Sequence, residues 1–283
     1  MMKKLLCLLL CLMALSMPAL AEDASPVMQV HQMMIGCADG YLIRCGDVNI
    51  MIDGGNANPN KPTDEVLEYL HASGIDTLDV YIVTHWHLDH CMNLNKVLAE
   101  FGDADTVVYS PSPALHEDYN PLAHGTYQQM KMGDVLEIGG MTFTCIGPEK
   151  LTQNGRGNPD SLNFVLQYGQ RKILFTGDFA HSKMINSTYK ELCSGVDVLK
   201  FPHHAIQPYE IGKQAIRTVR PQWVIVPGVA GKHTLWDFFD DNGVKFPKEN
   251  VLTNADGHVV ILTDGGEYFE IRTQVALDAL PTL

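Results

Sequence analysis

Thr84-His85-Trp86-His87-Leu88-Asp89-His90 sets four metal-capable side chains within six positions, directly after the apolar run Asp79 to Val83. The whole chain has 12 histidines, so three in one such stretch is not a chance polar loop. Imidazole and carboxylate are the ligand types that suit zinc and similar first-row ions. The spacing makes geometric sense at a strand exit. His85 and His87 can project from one side of an extended turn, while Asp89 and His90 can point at a second ion. Such a chain needs an architecture that holds loops rigidly at strand ends, which α/β folds do.

Three further candidates share this placement. Asp178 follows the strand-like Lys172 to Phe175 in Thr176-Gly177-Asp178, where a carboxylate could bridge two cations. Alone, a Gly-Asp pair after a strand is more often a turn. His203 and His204 follow the apolar run ending at Phe201-Pro202, and a structural role for either stays open. His233 comes after Val224 to Val226 and the turn at Pro227 to Gly231.

Periodicity organises the rest. Residues 27–35 and 41–52 read as strands joined by a Gly36–Gly40 turn, and Thr63 caps a helix with apolar positions Val66, Leu67 and Leu70. A helix over 91–101 and a strand over 107–109 follow. The stretch 110–134, rich in Pro, His and Gly, reads as a loop with a helical turn. Residues 135–146 form a hairpin around Gly139-Gly140, and 162–168 and 172–176 are strands. Helices over 182–192, 209–219 and 235–240 then alternate with strands over 196–201 and 223–227, and strands over 257–263 and 267–272 close the chain. The first half is rich in hairpins and the second is βαβ-like, with no linker between them. One domain over 22–283, with two mixed β-sheets and outer helices, fits this order.

Residues 1–21 read as a secretory signal peptide: Lys3-Lys4, an uncharged run from Leu5 to Leu15, then Ala19-Leu20-Ala21 before Glu22. The run is short for a bilayer span, which needs about 20 residues. The mature protein is therefore expected to be secreted or periplasmic, without stable membrane insertion or an obligate protein partner. The chain carries a formal charge of −13, and losing Lys3 and Lys4 makes it more negative still. Such a surface repels polyanions unless metal or a local basic patch compensates. Five cysteines remain after residue 21. Cys37 and Cys45 could form a hairpin bridge or stay as buried thiols, and the spacings match no zinc finger.

The His-x-His-x-Asp-His run is similar to the signature of the metallo-β-lactamase superfamily. The order of weaker motifs resembles the extracytoplasmic hydrolase-like domain of the ComEC competence proteins and their stand-alone relatives. Those motifs are Gly36-Cys37-Ala38-Asp39-Gly40, Met51-Ile52-Asp53-Gly54-Gly55, Gly133 to Leu136, Asn158 to Leu162, Lys172 to Asp178, Asp197 to His204 and Gly257 to Gly265. The resemblance implies an αββα four-layer sandwich and a site for one or two Zn²⁺ ions, with Mn²⁺ as the other candidate. In that site His85 and His87 hold one ion, Asp89 and His90 the other, and Asp178 bridges them. His204 and His233 take the remaining histidine positions. Asn158 and Ser161 stand where many superfamily members carry another histidine, and Ala205 stands where a glycine is usual.

A metal-activated water is the natural nucleophile at such a site. Asp89 could orient it, and His203, beside His204, could protonate the leaving group. Lys172 and Lys183 are candidate anion contacts. The ComEC-like resemblance favours a phosphodiester substrate, a nucleotide or nucleic acid. Against a polynucleotide stand the acidic composition and the lack of a basic stripe interleaved with aromatics. A β-lactam, lactone or other ester substrate, and a non-catalytic metal-binding module of the same fold, remain as alternatives.

Overall fold

Ile50, Met51 and Ile52 are all buried, yet successive strand side chains point to opposite faces of a sheet. Ile50 and Ile52 enter one apolar cluster and Met51 another. The same split occurs at Ile173-Leu174-Phe175, where Leu174 enters a third cluster. Strands covered on both faces demand layers, and the computed structural model of this protein has four, separated by these three clusters. It describes residues 26–56, 64–112, 124–228, 232–245 and 247–281. The expected signal peptide and the Thr63 cap lie outside the described residues.

Strands β1 (Met28–Gln32), β2 (Gly40–Cys45), β3 (Val48–Asp53), β4 (Val80–Ile82), β5 (Val107–Ser110) and β6 (Thr126–Gln129) build most of the first sheet. The second follows as β7 (Val135–Ile138), β8 (Met141–Gly147), β9 (Asn163–Tyr168), β10 (Arg171–Phe175), β11 (Val198–Lys200), β12 (Trp223–Val226) and β13 (Val251–Thr253). The chain then returns to the first sheet with β14 (Val259–Thr263) and β15 (Phe269–Arg272). The orders are β15-β14-β1-β2-β3-β4-β5-β6 and β13-β12-β11-β10-β9-β8-β7. Both sheets are mixed, with β3 to β6 and β10 to β13 parallel.

Side chains from both sheets meet in the middle, among them Tyr41, Phe143, Phe164 and Phe175. Helices α1 (Glu65–Ala72), α2 (Leu88–Cys91) and α3 (Leu94–Phe101) belong to the first sheet's half, where Tyr69, Leu70, Leu94 and Leu98 pack on its outer face. Helices α4 (Ser182–Asn186), α5 (Lys190–Cys193), α6 (Lys213–Val219) and α7 (Lys232–Asp241) belong to the second, through Ile185, Cys193, Ile216 and Phe239. This is the αββα sandwich expected.

Several element boundaries differ from the sequence reading. The strand expected over 41–52 is a hairpin, because Gly46 at φ 57° turns the chain between β2 and β3. The helix expected over 182–192 is two short ones, divided at Ser187, whose φ of −124° and ψ of −99° are not helical. The helix expected over 209–219 starts only at Lys213, after an extended Gly212. Part of the expected 110–134 loop is β6, an edge strand added parallel to β5. β13 was not anticipated, and the first half contains parallel pairs as well as hairpins. Cys37, Cys45, Cys91, Cys145 and Cys193 are all free thiols. Among the described residues no helix is long and apolar enough to cross a membrane.

Candidate metal centre

The loop after β4 begins extended and ends helical. The His87 carbonyl accepts the backbone N–H groups of His90 and Cys91 at 2.9 and 3.0 Å, opening α2. His85 and His87 thus lie on the extended part, and Asp89 and His90 on the first helical turn. Two contacts across the sandwich fix this loop: Trp86 N–H donates to the Gly155 carbonyl, and Leu162 N–H to the Thr84 carbonyl. Gly55 lies against it so closely that an added Cβ would overlap the Asp89 carbonyl.

Asp178 arrives from the second sheet. Gly177, at φ 52°, turns the chain after β10, and Asp178 N–H donates to Ser161 Oγ at 3.0 Å. The carboxylate then faces two ways. Its Oδ1 is 3.2 Å from His90 Nε2 and 3.6 Å from His204 Nε2, whereas its Oδ2 is 3.9 Å from His85 Nε2. Two metal-capable groups result, Asp89–His90–Asp178–His204 and His85–His87–Asp178, each with its ligand atoms within 4.8 Å of one another. Asp178 belongs to both. Asp39, Asp53 and His90 form a third acidic cluster behind them.

The imidazoles are oriented as ligands. His90 Nδ1 contacts Asp53 Oδ2 at 2.8 Å, and His204 Nδ1 donates to the Pro227 carbonyl at 2.7 Å. His85 Nδ1 is flanked by the hydroxyls of Thr84 and Ser161 at 3.3 and 3.4 Å. With Nδ1 engaged, each Nε2 is directed into the cluster, the arrangement that outer partners impose on metal-binding histidines. His85 Nε2, His90 Nε2 and both Asp178 oxygens are buried without a hydrogen-bond partner. Buried polar atoms left unpaired are costly, and here four of them converge, so the residues fit one or two divalent cations.

The metal-free charge balance is uneven. Burial opposes charge on His90, but the carboxylates of Asp178, Asp53 and Asp39 raise its pKa well above the usual value. Burial and the charge on His90 hold His85 well below it. Burial also pushes Asp178 upward, but His90, Lys200 and His204 bring it well below the ordinary carboxylate range. Asp89 resists burial in the same way, through its hydrogen bond with His204, and falls to about 2.

The sequence candidates sort clearly. His85, His87, Asp89, His90, Asp178 and His204 come together. His203 joins none of the groups; it sits half-buried at φ 51°, with its ring centroid 6.3 Å from that of His204. His233 falls in the first turn of α7, and its side chain lies outside the described residues. Ser161 occupies the missing histidine's neighbourhood but serves to hold Asp178 and His85. Lys172 is not an anion contact: its Nζ donates to the carbonyls of Leu192 and Ser194. Lys183 pairs with Glu149 at the surface.

Three participants, Asp39, Asp53 and Lys200, escaped sequence reasoning. Asp53 accepts from Thr84 N–H and Oγ1, both at 2.7 Å, and orients His90. Lys200 is fully buried, donating to Asp39 and to the Gly177 carbonyl at 2.6 Å, with its Nζ 3.6 Å from Asp178 Oδ1. Its only sequence signal is a lysine inside the apolar run Val198-Leu199-Lys200-Phe201.

Comparison with known proteins bears on the family and the fold. A family model described as the metallo-beta-lactamase superfamily matches residues 38–208, more than half of the chain. ComE operon protein 3 of Bacillus subtilis is 24% identical over 202 residues, which cover 69% of this chain but only 24% of that protein. Among solved structures, the metallo-beta-lactamase fold protein YhfI of Bacillus subtilis aligns with a TM-score of 0.55 at 18% identity, covering 84% of this chain and 100% of that one. Igni18, described as a metallo hydrolase of Ignicoccus hospitalis, aligns with a TM-score of 0.52 at 16% identity, covering 82% and 98%. The chain belongs to the metallo-beta-lactamase superfamily, and the ligand groups it carries make it a metal-dependent hydrolase.

Proposed function

We propose that this protein is an exported phosphodiesterase that uses Zn²⁺, or Mn²⁺ in its place. The observation that carries the reading is the sharing of Asp178 between two ligand groups, with its two oxygens turned toward different histidines. Two neighbouring cations suit phosphoryl transfer, where one can stabilise the attacking oxygen and the other the leaving oxygen. The likeness to ComE operon protein 3, limited to about a quarter of that protein's length, and the ComEC-like order of motifs support the same substrate class.

His85 and His87 would hold one ion, Asp89, His90 and His204 the other, with Asp178 between them and His233 completing the set. Bound metal supplies Lewis acidity, acidifying a water and neutralising charge on the phosphoryl oxygens. The chain does the rest. Asp89 has a side chain 31% exposed and stays ionised, so it can accept a hydrogen bond from the attacking water and orient it while the water's proton leaves to solvent. The water oxygen bonds to phosphorus, the ester P–O bond breaks, and His203 passes a proton to the departing oxygen. Asp53 and Lys200 hold His90 and Asp178 in place.

Metal-free and Zn²⁺- or Mn²⁺-loaded protein should be assayed against bis-p-nitrophenyl phosphate, single-stranded DNA, a β-lactam and a simple lactone. Phosphodiester cleavage that appears only with metal supports the reading. Rapid lactam or lactone opening without phosphodiester cleavage overturns it.

A further inference from the structure

A cavity of about 530 Å³ lies among segments that flank the metal centre's residues in sequence. Its walls continue the segments that deliver the centre's residues. Pro159 precedes Ser161, Phe179 to Met184 follow Asp178, and Tyr209 to Gly212 follow His204. The walls are tied together: Ala180 N–H donates to the Glu210 carbonyl at 2.9 Å, and Gly212 N–H to Ser182 Oγ at 2.8 Å. One wall is linked to the ligands through Ser161, whose carbonyl His181 Nε2 contacts and whose hydroxyl accepts from Asp178 N–H. The cavity walls are thus tied to one another and to the segments that carry Asp178 and His204.

Its chemistry differs from the centre's. Phe179, Met184, Tyr209 and Ile211 give it apolar and aromatic walls. Tyr209 is held edge-on by Phe201 and Phe238, with ring centroids 5.5 and 4.9 Å away, and Phe179 by His181 at 5.4 Å. Lys150 and Lys183 at the wall are matched by Glu149 and Glu210, and Lys183 is already paired with Glu149 at 2.7 Å. Balanced charge offers no field for a second phosphate. Fixed aromatic faces favour a flat ring.

We propose that this cavity binds an uncharged, flat aromatic arm of the substrate, an aryl group or a nucleobase esterified to the phosphate at the metal centre. The protein then acts on small diesters with one negative charge rather than on polynucleotides, in keeping with its net charge of −13. This assignment rests on the phosphodiester reading.

The test uses metal-loaded protein and p-nitrophenyl phosphodiesters whose second arm is methyl, phenyl or thymidine, so that the leaving group is constant. The phenyl and thymidine esters should exceed the methyl ester in kcat/KM by about tenfold, through KM, as stacking on an aromatic side chain provides. Tyr209→Ala should bring that ratio to near unity, whereas Tyr209→Phe keeps it. Tyr209→Leu, which keeps apolar bulk but removes the flat ring, should also collapse the ratio if Tyr209→Ala does not fold. Ligand-observed NMR with free thymidine and benzyl alcohol reports binding without turnover. If neither ring binds in a Tyr209-dependent way while all diesters are cleaved alike, the proposal falls and the phosphodiesterase reading stands. If the rings bind in a Tyr209-dependent way but no diester is cleaved, the cavity assignment stands and the phosphodiesterase reading falls. Single-stranded DNA cleaved faster than the thymidine ester overturns the preference for small diesters.

Discussion

At His90, proton and metal compete for one nitrogen. Its metal-free pKa is raised well above 6.5, chiefly against the cost of burial, by Asp178, Asp53 and Asp39. The stabilisation from this charged form is complete below the unfolded value and is lost as pH rises through the raised one. Metal needs the neutral ring, so its affinity should strengthen with rising pH, and binding at pH 7 should release a proton. Isothermal titration in buffers of different ionisation enthalpy measures this directly; no proton release at pH 7 contradicts it. Lys200 gives a second prediction at this scale. Lys200→Met leaves Asp39 buried without its cation, which should cost about 3–5 kcal/mol in metal-free denaturant unfolding. The double variant Asp39→Asn/Lys200→Met should recover part of that loss; a single variant within about 1 kcal/mol of the parent would show that the pair is not what holds this region. The ligands themselves were legible because histidines crowded into six positions are conspicuous. Lys200 and Asp53 were not, because their roles depend on burial against residues far apart in sequence, and a lysine in a short apolar run reads as an edge or a snorkelling side chain.

The elements matter through their ends. Every ligand whose side chain is described follows a strand, and the strands were readable from apolar runs bounded by turn residues. Their breaks were less so. The Gly46-Asp47 turn is hidden inside a β-forming stretch, and β13 lies between Asn250 and Asn254 without the longer apolar run that marks β4 and β11. The helix expected over 182–192 breaks at Ser187, inside Asn186-Ser187-Thr188, a turn-favouring run that the apolar spacing on either side masks. One glycine ties the elements to the site. The turn after β3 brings Gly55 against the Asp89 carbonyl and His90 N–H, with no room for a methyl group. Gly55→Ala should therefore displace the loop between β4 and α3, lowering metal affinity by at least tenfold while the sandwich still folds. A metal titration alongside circular dichroism checks this, and unchanged affinity would show that the loop tolerates the shift.

At the scale of the molecule, two sheets converge from opposite halves of the sequence. The first supplies His85 to His90 and the second supplies Asp178 and His204, so the metal centre exists only where the sandwich closes. Layering was foreseeable from strands buried on both faces. Pairing order was not, since parallel β3 to β6 and the return of β14 and β15 to the first sheet depend on long-range contacts. Export is a separate prediction: protein secreted from a bacterial host should begin at Glu22 by intact mass, and fully exported protein retaining Met1 contradicts it. The proposed metal centre depends on Asp178 joining two cation positions. Asp178→Asn preserves shape but removes the shared negative charge, so the most direct test is metal content per folded chain for parent and variant at saturating Zn²⁺. Two bound ions are expected in the parent, and the loss of at least one in Asp178→Asn. Equal stoichiometry and equal affinity in both proteins would contradict it.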